Sequence, residues 1–285
     1  DAARSRYSLA LLLARHFPSA YRDLDKAATL LDEAWELLQR EPPSEQRDYE
    51  RIFNRNGRAL ILYRAGRFRD AQRMLTVGLA KLRTTRHAGT VHETVLANNL
   101  GRVFSRAGDH DRACKWLTEA VRRDPLFAEY WYDLALHHFR VGELDDAARC
   151  AAEAHGLNPT YPQHAALAGN VALSCDGLDR AAALFDDALS YDPEFDPALL
   201  GLSRVSAAGD DYERCRATLD RVRPENLATE DRVTEALLRI ETSLNLETCT
   251  LADAQGALHD LAEDFPESDA VRESLALVAS AVASG

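Results

Sequence analysis

The chain has 285 residues, 46% of them hydrophobic and 7% aromatic, with 34 Lys/Arg against 46 Asp/Glu for a net charge of −12. That length lies near the upper limit for one globular core, and an acidic chain poor in stacking aromatics is disfavoured as a nucleic-acid binder. No apolar run approaches the ~18–20 residues of a membrane span, helix formers dominate, and strand-like alternation is absent, so an all-α fold away from membranes is expected.

Residues 1–46 read as a divergent first helix pair, with Ala27, Leu31 and Ala34 as small and apolar anchors at three- and four-residue spacing. The chain begins at Asp1 without Met, so further sequence is expected upstream, and whether it holds a leader or another domain stays open. A long pair follows over 47–91, where Ala71, Leu75 and Gly78 repeat the same offsets. From there the period becomes fixed: Ala113, Ala147, Ala181 and Cys215 stand 34 residues apart. Leu117, Ala151, Phe185 and Leu219 follow them by four, and Ala120, Ala154, Ala188 and Val222 by seven. Pro125, Pro159 and Pro193 close the first three units. These anchors bound regular pairs at 92–125, 126–159, 160–193 and 194–226. A divergent pair at 227–267 carries Ala254, Leu258, Leu261 and Pro266, and 268–285 reads as a capping helix. Within each unit two amphipathic helices meet at a tight turn, and Gly108 and Gly142 stand where a left-handed backbone is cheapest for glycine. Asp109 or His110 begins the second helix of one unit, and proline ends such helices because the residue before it is pushed out of the helical region. Each pair leaves an apolar face bare and must stack on its neighbours, as a repeat array does.

This pattern resembles the tetratricopeptide repeat. The best copy is Trp131, Leu134, Ala135, Ala147, Ala154 and Pro159, with His138 in place of the usual Tyr and Ala151 in place of a large apolar residue. The resemblance implies a right-handed α-solenoid of about seven antiparallel helix pairs plus a C-terminal cap. It also implies a groove lined by the first helix of each pair. On that register Asn56, Asn98 and Asn99 face the groove, together with Arg64, Arg102, Arg106 and Arg140, the aromatic residues Tyr63, Tyr132 and Phe139, and Asn170 further along. The Asn98-Asn99 stretch is similar to the asparagine-bearing repeats of kinesin light chains and of bacterial peptide-sensing regulators, although the next repeats carry Tyr132-Asp133 and Ala166-Leu167 and break the ladder. Side-chain amides donate and accept, so the asparagines are expected to hold a peptide backbone, the arginines to attract carboxylates, and the aromatics to supply apolar contact.

Charge is unevenly spread: residues 51–106 hold twelve Lys/Arg against Asp70 and Glu93, while 1–50 sum to −3 and 107–285 to −19. A basic end suggests an acidic partner. The five cysteines show no CxxC spacing and read as free, mostly buried thiols of a reducing, cytoplasmic setting. No phosphate loop, nucleophile elbow or HExxH is present. His137-His138 and the His110/Cys114 pair lack further ligands nearby, so neither a metal nor another cofactor is expected, and an enzyme is not. The expected function is non-enzymatic binding of a protein or peptide, acidic ones included, in the groove around 53–140. Two other readings stay open: a regulatory sensor attached to an effector domain, and a structural self-assembly module using Leu275, Leu277 and Val278. Oligomeric state is not legible.

Overall fold

The computed structural model describes residues 2–16, 23–175 and 177–284. Among them are fifteen α-helices and no strand. In chain order the helices are α1 (Ala2–Leu11), α2 (Leu24–Arg40), α3 (Glu45–Arg64), α4 (Phe68–Leu82), α5 (Val91–Arg106), α6 (His110–Arg123), α7 (Ala128–Arg140) and α8 (Leu144–Leu157). They continue with α9 (Pro162–Ser174), α10 (Leu178–Tyr191), α11 (Asp196–Ala208), α12 (Tyr212–Leu219), α13 (Thr229–Asn245), α14 (Leu251–Asp264) and α15 (Asp269–Ser284). A π-helical turn (Leu12–His16) extends α1, and a 3₁₀ turn (Pro224–Asn226) precedes α13. The chain divides into two compact units, residues 1–150 and 151–285.

In the first unit the anchors Ala27, Ala71, Ala113 and Ala147 are fully buried, and Leu31, Leu75 and Leu117 beside them are no more than 2% exposed. In the second, Ala181, Cys215 and Ala254 take the same role, with Phe185, Leu219 and Leu258 at the following position. A small residue there lets the second helix of a pair approach the first, and the large residue one turn later fills the space between. Burying a Leu or Phe contributes on the order of 1.5–3 kcal/mol, so each pair is held mainly by this stripe. Gly101 shows how tight the approach is: a Cβ there would lie 2.8 Å from Leu117.

The turns follow the expected chemistry. Gly66, Gly108 and Gly142 have φ of 72°, 78° and 79°. Asp109 caps α6 by accepting from the Arg112 amide, and Asp211 caps α12 the same way from Arg214. Two turns depart from the rule: Asp210 and Glu247 hold φ of 58° and 55° without being glycine. The cysteines are free, but only Cys150 and Cys215 are buried. Cys175 is exposed because it follows the last residue of α9 and lies off the packed stripe.

Much of the basic segment is paired within the fold. At least seven of its twelve cations meet carboxylates, most of them from outside the segment: Arg51 and Lys81 with Asp48, Arg58 with Asp32, Arg67 with Asp70, Arg83 with Glu93, Arg86 with Glu45, and Arg102 with Asp133. Sequence tallies add charges along the chain; stacking adds them across it.

Candidate peptide-binding cavity

α1, α3, α5 and α7, the first helices of four successive pairs, enclose a cavity of about 270 Å³ in the first unit. α3 contributes Phe53, Asn56, Gly57, Leu60 and Tyr63, and α5 contributes Val95, Asn98, Asn99 and Arg102. α7 adds Glu129, Tyr130 and Asp133, and α1 adds Tyr7 and Leu11. The lining is therefore an aromatic and aliphatic wall interrupted by one polar row.

That row is bonded across helices. Asn99 Nδ2 donates to Asn56 Oδ1 at 2.9 Å, joining α5 to α3. Asn98 Nδ2 donates to Asp133 Oδ2 at 2.7 Å, joining α5 to α7. Arg102 Nε lies 3.4 Å from Asp133 Oδ1, and its guanidinium sits 5.4 Å from the Tyr63 ring centre. Asp133 raises the Arg102 pKa, so this arginine is charged but already opposed. With Glu129 and Asp133 against Arg102, the lining carries a net −1. Burial raises the Tyr7 and Tyr130 phenols to about 12, so both stay neutral. Three amide atoms of the row have no hydrogen bond among the described residues: Asn98 Oδ1, which is buried, Asn99 Oδ1 and Asn56 Nδ2. The row thus retains two acceptor oxygens and one donor group.

Of the expected site residues, Asn56, Tyr63, Asn98, Asn99 and Arg102 come together at this cavity. Tyr132, Phe139, Arg64, Arg106 and Arg140 are not part of its lining. The three arginines are the last residues of α3, α5 and α7, exposed beside the negative ends of those helix dipoles, which suits a cation there. Asn170 belongs to the second unit, where its Oδ1 accepts from Arg204 at 2.9 Å. Sequence reasoning missed Tyr7, Phe53, Glu129 and Tyr130. Asp133 was legible as a groove position of its repeat; Tyr7 was not, because the first pair departs from the 34-residue register.

Elsewhere in the first unit, His137 is buried and its Nδ1 lies 3.1 Å from Ser105 Oγ. His138, Glu143 and Asp146 have donor atoms within 4.8 Å of one another and form a group of metal-ligand type. Glu143 is occupied by His138 Nδ1, and Asp146 by Arg149, so the group is a set of internal polar pairs. Among the described residues no helix is long and apolar enough to cross a membrane.

Residues 98–162 and 178–239 each match the tetratricopeptide repeat. Both stretches belong to the tetratricopeptide-repeat family. A 108-residue stretch is 25% identical to Hsp70-Hsp90 organizing protein 1 of Glycine max, covering 38% of this chain but only 19% of that protein. Among solved structures, a tetratricopeptide repeat protein from Parabacteroides merdae aligns over 96% of this chain and 99% of its own, with a TM-score of 0.63 and 15% identity. PilF of Pseudomonas aeruginosa aligns over 81% and 98%, with a TM-score of 0.61 and 16% identity. At these identities the likeness is one of fold. As a tetratricopeptide-repeat chain, the molecule is a non-enzymatic protein-interaction scaffold.

Proposed function

We propose that the cavity between α1, α3, α5 and α7 binds an extended peptide segment of a partner protein. The observation that carries this is the set of unspent amide atoms, Asn56 Nδ2, Asn99 Oδ1 and Asn98 Oδ1, on two adjacent first helices. A peptide unit offers the matching N–H donor and C=O acceptor. Because Asn99 and Asp133 fix the other half of each amide, the row is already oriented before a ligand arrives, and orientation prepared in advance lowers the cost of binding. Leu60, Tyr63 and Tyr130 supply apolar contact. The net −1 of the lining gives no reason for an acidic ligand at this place, so the expected ligand here is neutral or weakly basic.

Peptides selected from an unbiased displayed library test the reading. Asn56→Ala/Asn98→Ala should fold normally yet bind the selected peptides several-fold more weakly, since each lost hydrogen bond costs about 0.5–1.5 kcal/mol. The loss should be similar across peptides of different side-chain sequence, because the backbone is what is held. Undiminished binding by the folded double variant, or amide chemical-shift changes confined to residues away from this cavity, would overturn it.

A further inference from the structure

α3 has two working sides. One lines the cavity; the other, with α2 and α4, lines a separate cleft of about 640 Å³. We propose that this cleft docks a second copy of the chain, which presents the exposed acidic side of α14.

Six cations line the cleft: Arg51, Arg55, Arg58, Arg67, Arg73 and Lys81. Asp70 lines it too, and Asp32 and Asp48 reach Arg58, Arg51 and Lys81, which leaves a net of +3. Arg73 makes no ion pair among the described residues. Arg55 makes none either; it lies 3.5 Å over the Trp35 ring. Burial and the neighbouring Arg58 both lower the Arg55 pKa, although Asp32 acts the other way. A carboxylate entering beside it would remove that penalty. Between the cations the floor is apolar, and Val77 is 64% exposed there.

The complement lies in the same chain. Residues 240–271 hold eight Asp/Glu and no Lys or Arg. On α14, Asp260, Glu263 and Asp264 are exposed and make no ion pair among the described residues. Asp253, Asp260 and Asp264 follow one side of the helix, with Gly256 and Ala257 between them. Asp253 and Asp260 are seven residues apart, as are Arg51 and Arg58, a rise of about 10 Å in each case. The small residues at the centre of that side let a helix approach the apolar floor while its carboxylates reach the flanking guanidiniums. Arg is suited to such pairs because its fork donates two parallel bonds. An unlike-patch contact of this kind leaves one cleft and one acidic helix free, so copies either add end to end or close a ring.

Sedimentation of the full chain, with circular dichroism as the folding control, decides this. The wild type should associate in about 0.1 M salt at concentrations up to about 1 mM, and dissociate in about 1 M salt, where screening reaches about 3 Å. Arg55→Glu/Arg73→Glu and Asp260→Arg/Asp264→Arg should each weaken association at least about tenfold. An equimolar mixture of the two variants pairs an intact cleft with an intact acidic helix, and should recover a two-copy complex. A wild type that stays monomeric at every concentration, including one that only becomes more compact at low salt, overturns the proposal. So does undiminished association of either folded variant, or a mixture that fails to recover. None of these four substitutions touches the cavity lining, so the result is independent of peptide binding.

Discussion

Three donors converge on the Glu93 carboxylate: the Gly89 amide at 2.7 Å, Arg83 Nε at 2.8 Å and Arg123 Nη2 at 3.0 Å. Burial pushes its pKa up, yet these donors outweigh it and hold the carboxyl below its ordinary 4.5. A carboxylate with a depressed folded pKa contributes stability that is complete above the unfolded value and is lost as pH falls through the folded one. Glu93→Gln should therefore cost about 1–3 kcal/mol near neutrality. The gap between variant and wild type in urea unfolding should shrink as pH falls below 4.5. A gap of equal size at pH 7 and at the acid end would mean that the charge is not the stabilising element. Glu247 poses the opposite case. Its φ of 55° places an exposed non-glycine residue in the left-handed region between α13 and α14. Such a backbone costs an L-residue about 1–2 kcal/mol, part of which glycine's freedom in the unfolded chain offsets. Glu247→Gly should raise stability by about 0.5–1 kcal/mol, read from the urea midpoint, and no gain would show that the turn is stabilised by something other than its φ.

Phe185 on α10 illustrates what an element needs from its neighbours. It is fully buried and lies against Gly169 of α9 and Gly201 of α11; a Cβ on Gly169 would be 2.7 Å from its ring, and one on Gly201 closer still. The 34-residue period shows Phe185 in the sequence, because it falls four residues after Ala181. It also shows Gly169, which occupies the small-residue position of its repeat. Gly201 shares its repeat position with Asn99 and Asp133, which line the cavity, yet it packs on Phe185. Periodicity identifies which residues are equivalent, not how large a neighbour has grown, and Phe at a position held elsewhere by Leu117 or Ala151 demands space on both sides. Gly201→Ala should cost about 1–3 kcal/mol through overpacking, and Phe185→Leu in the same chain should recover most of it. Additive losses in the double variant would show that the two residues do not share one contact. The cavity was legible to the same degree. The first-helix rule selects Asn56, Asn98, Asn99, Arg102 and Tyr63, which lie together. The pairing of Asn98 and Arg102 with Asp133 was not legible, because nothing in a repeat register says which side chains meet across helices.

At the scale of the whole molecule, the charge pattern separates two surfaces that the sequence appeared to combine. A segment with twelve cations and two acids looks like one basic binding face. In three dimensions α3 divides it. Arg102, on the cavity side, meets Asp133, and the lining there sums to −1. Arg51, Arg55 and Arg58, on the other side, face a cleft that remains positive. The two surfaces should therefore answer salt differently. Between about 0.1 M and about 1 M the screening length falls from about 10 Å to about 3 Å. Interactions between exposed charges weaken over that range, whereas hydrogen bonds to a fixed amide row and apolar contacts do not. A neutral peptide selected for the cavity should keep its affinity within about threefold across the range, because its binding rests on the amides and aromatics. The same titration with an acidic peptide should give weaker binding at low salt than the neutral one, since Glu129 and Asp133 repel it. A steep loss of neutral-peptide affinity with salt, or a preference for the acidic peptide that Asn56→Ala/Asn98→Ala abolishes, would place the electrostatic attraction at the cavity after all and remove the division that α3 makes between the two surfaces.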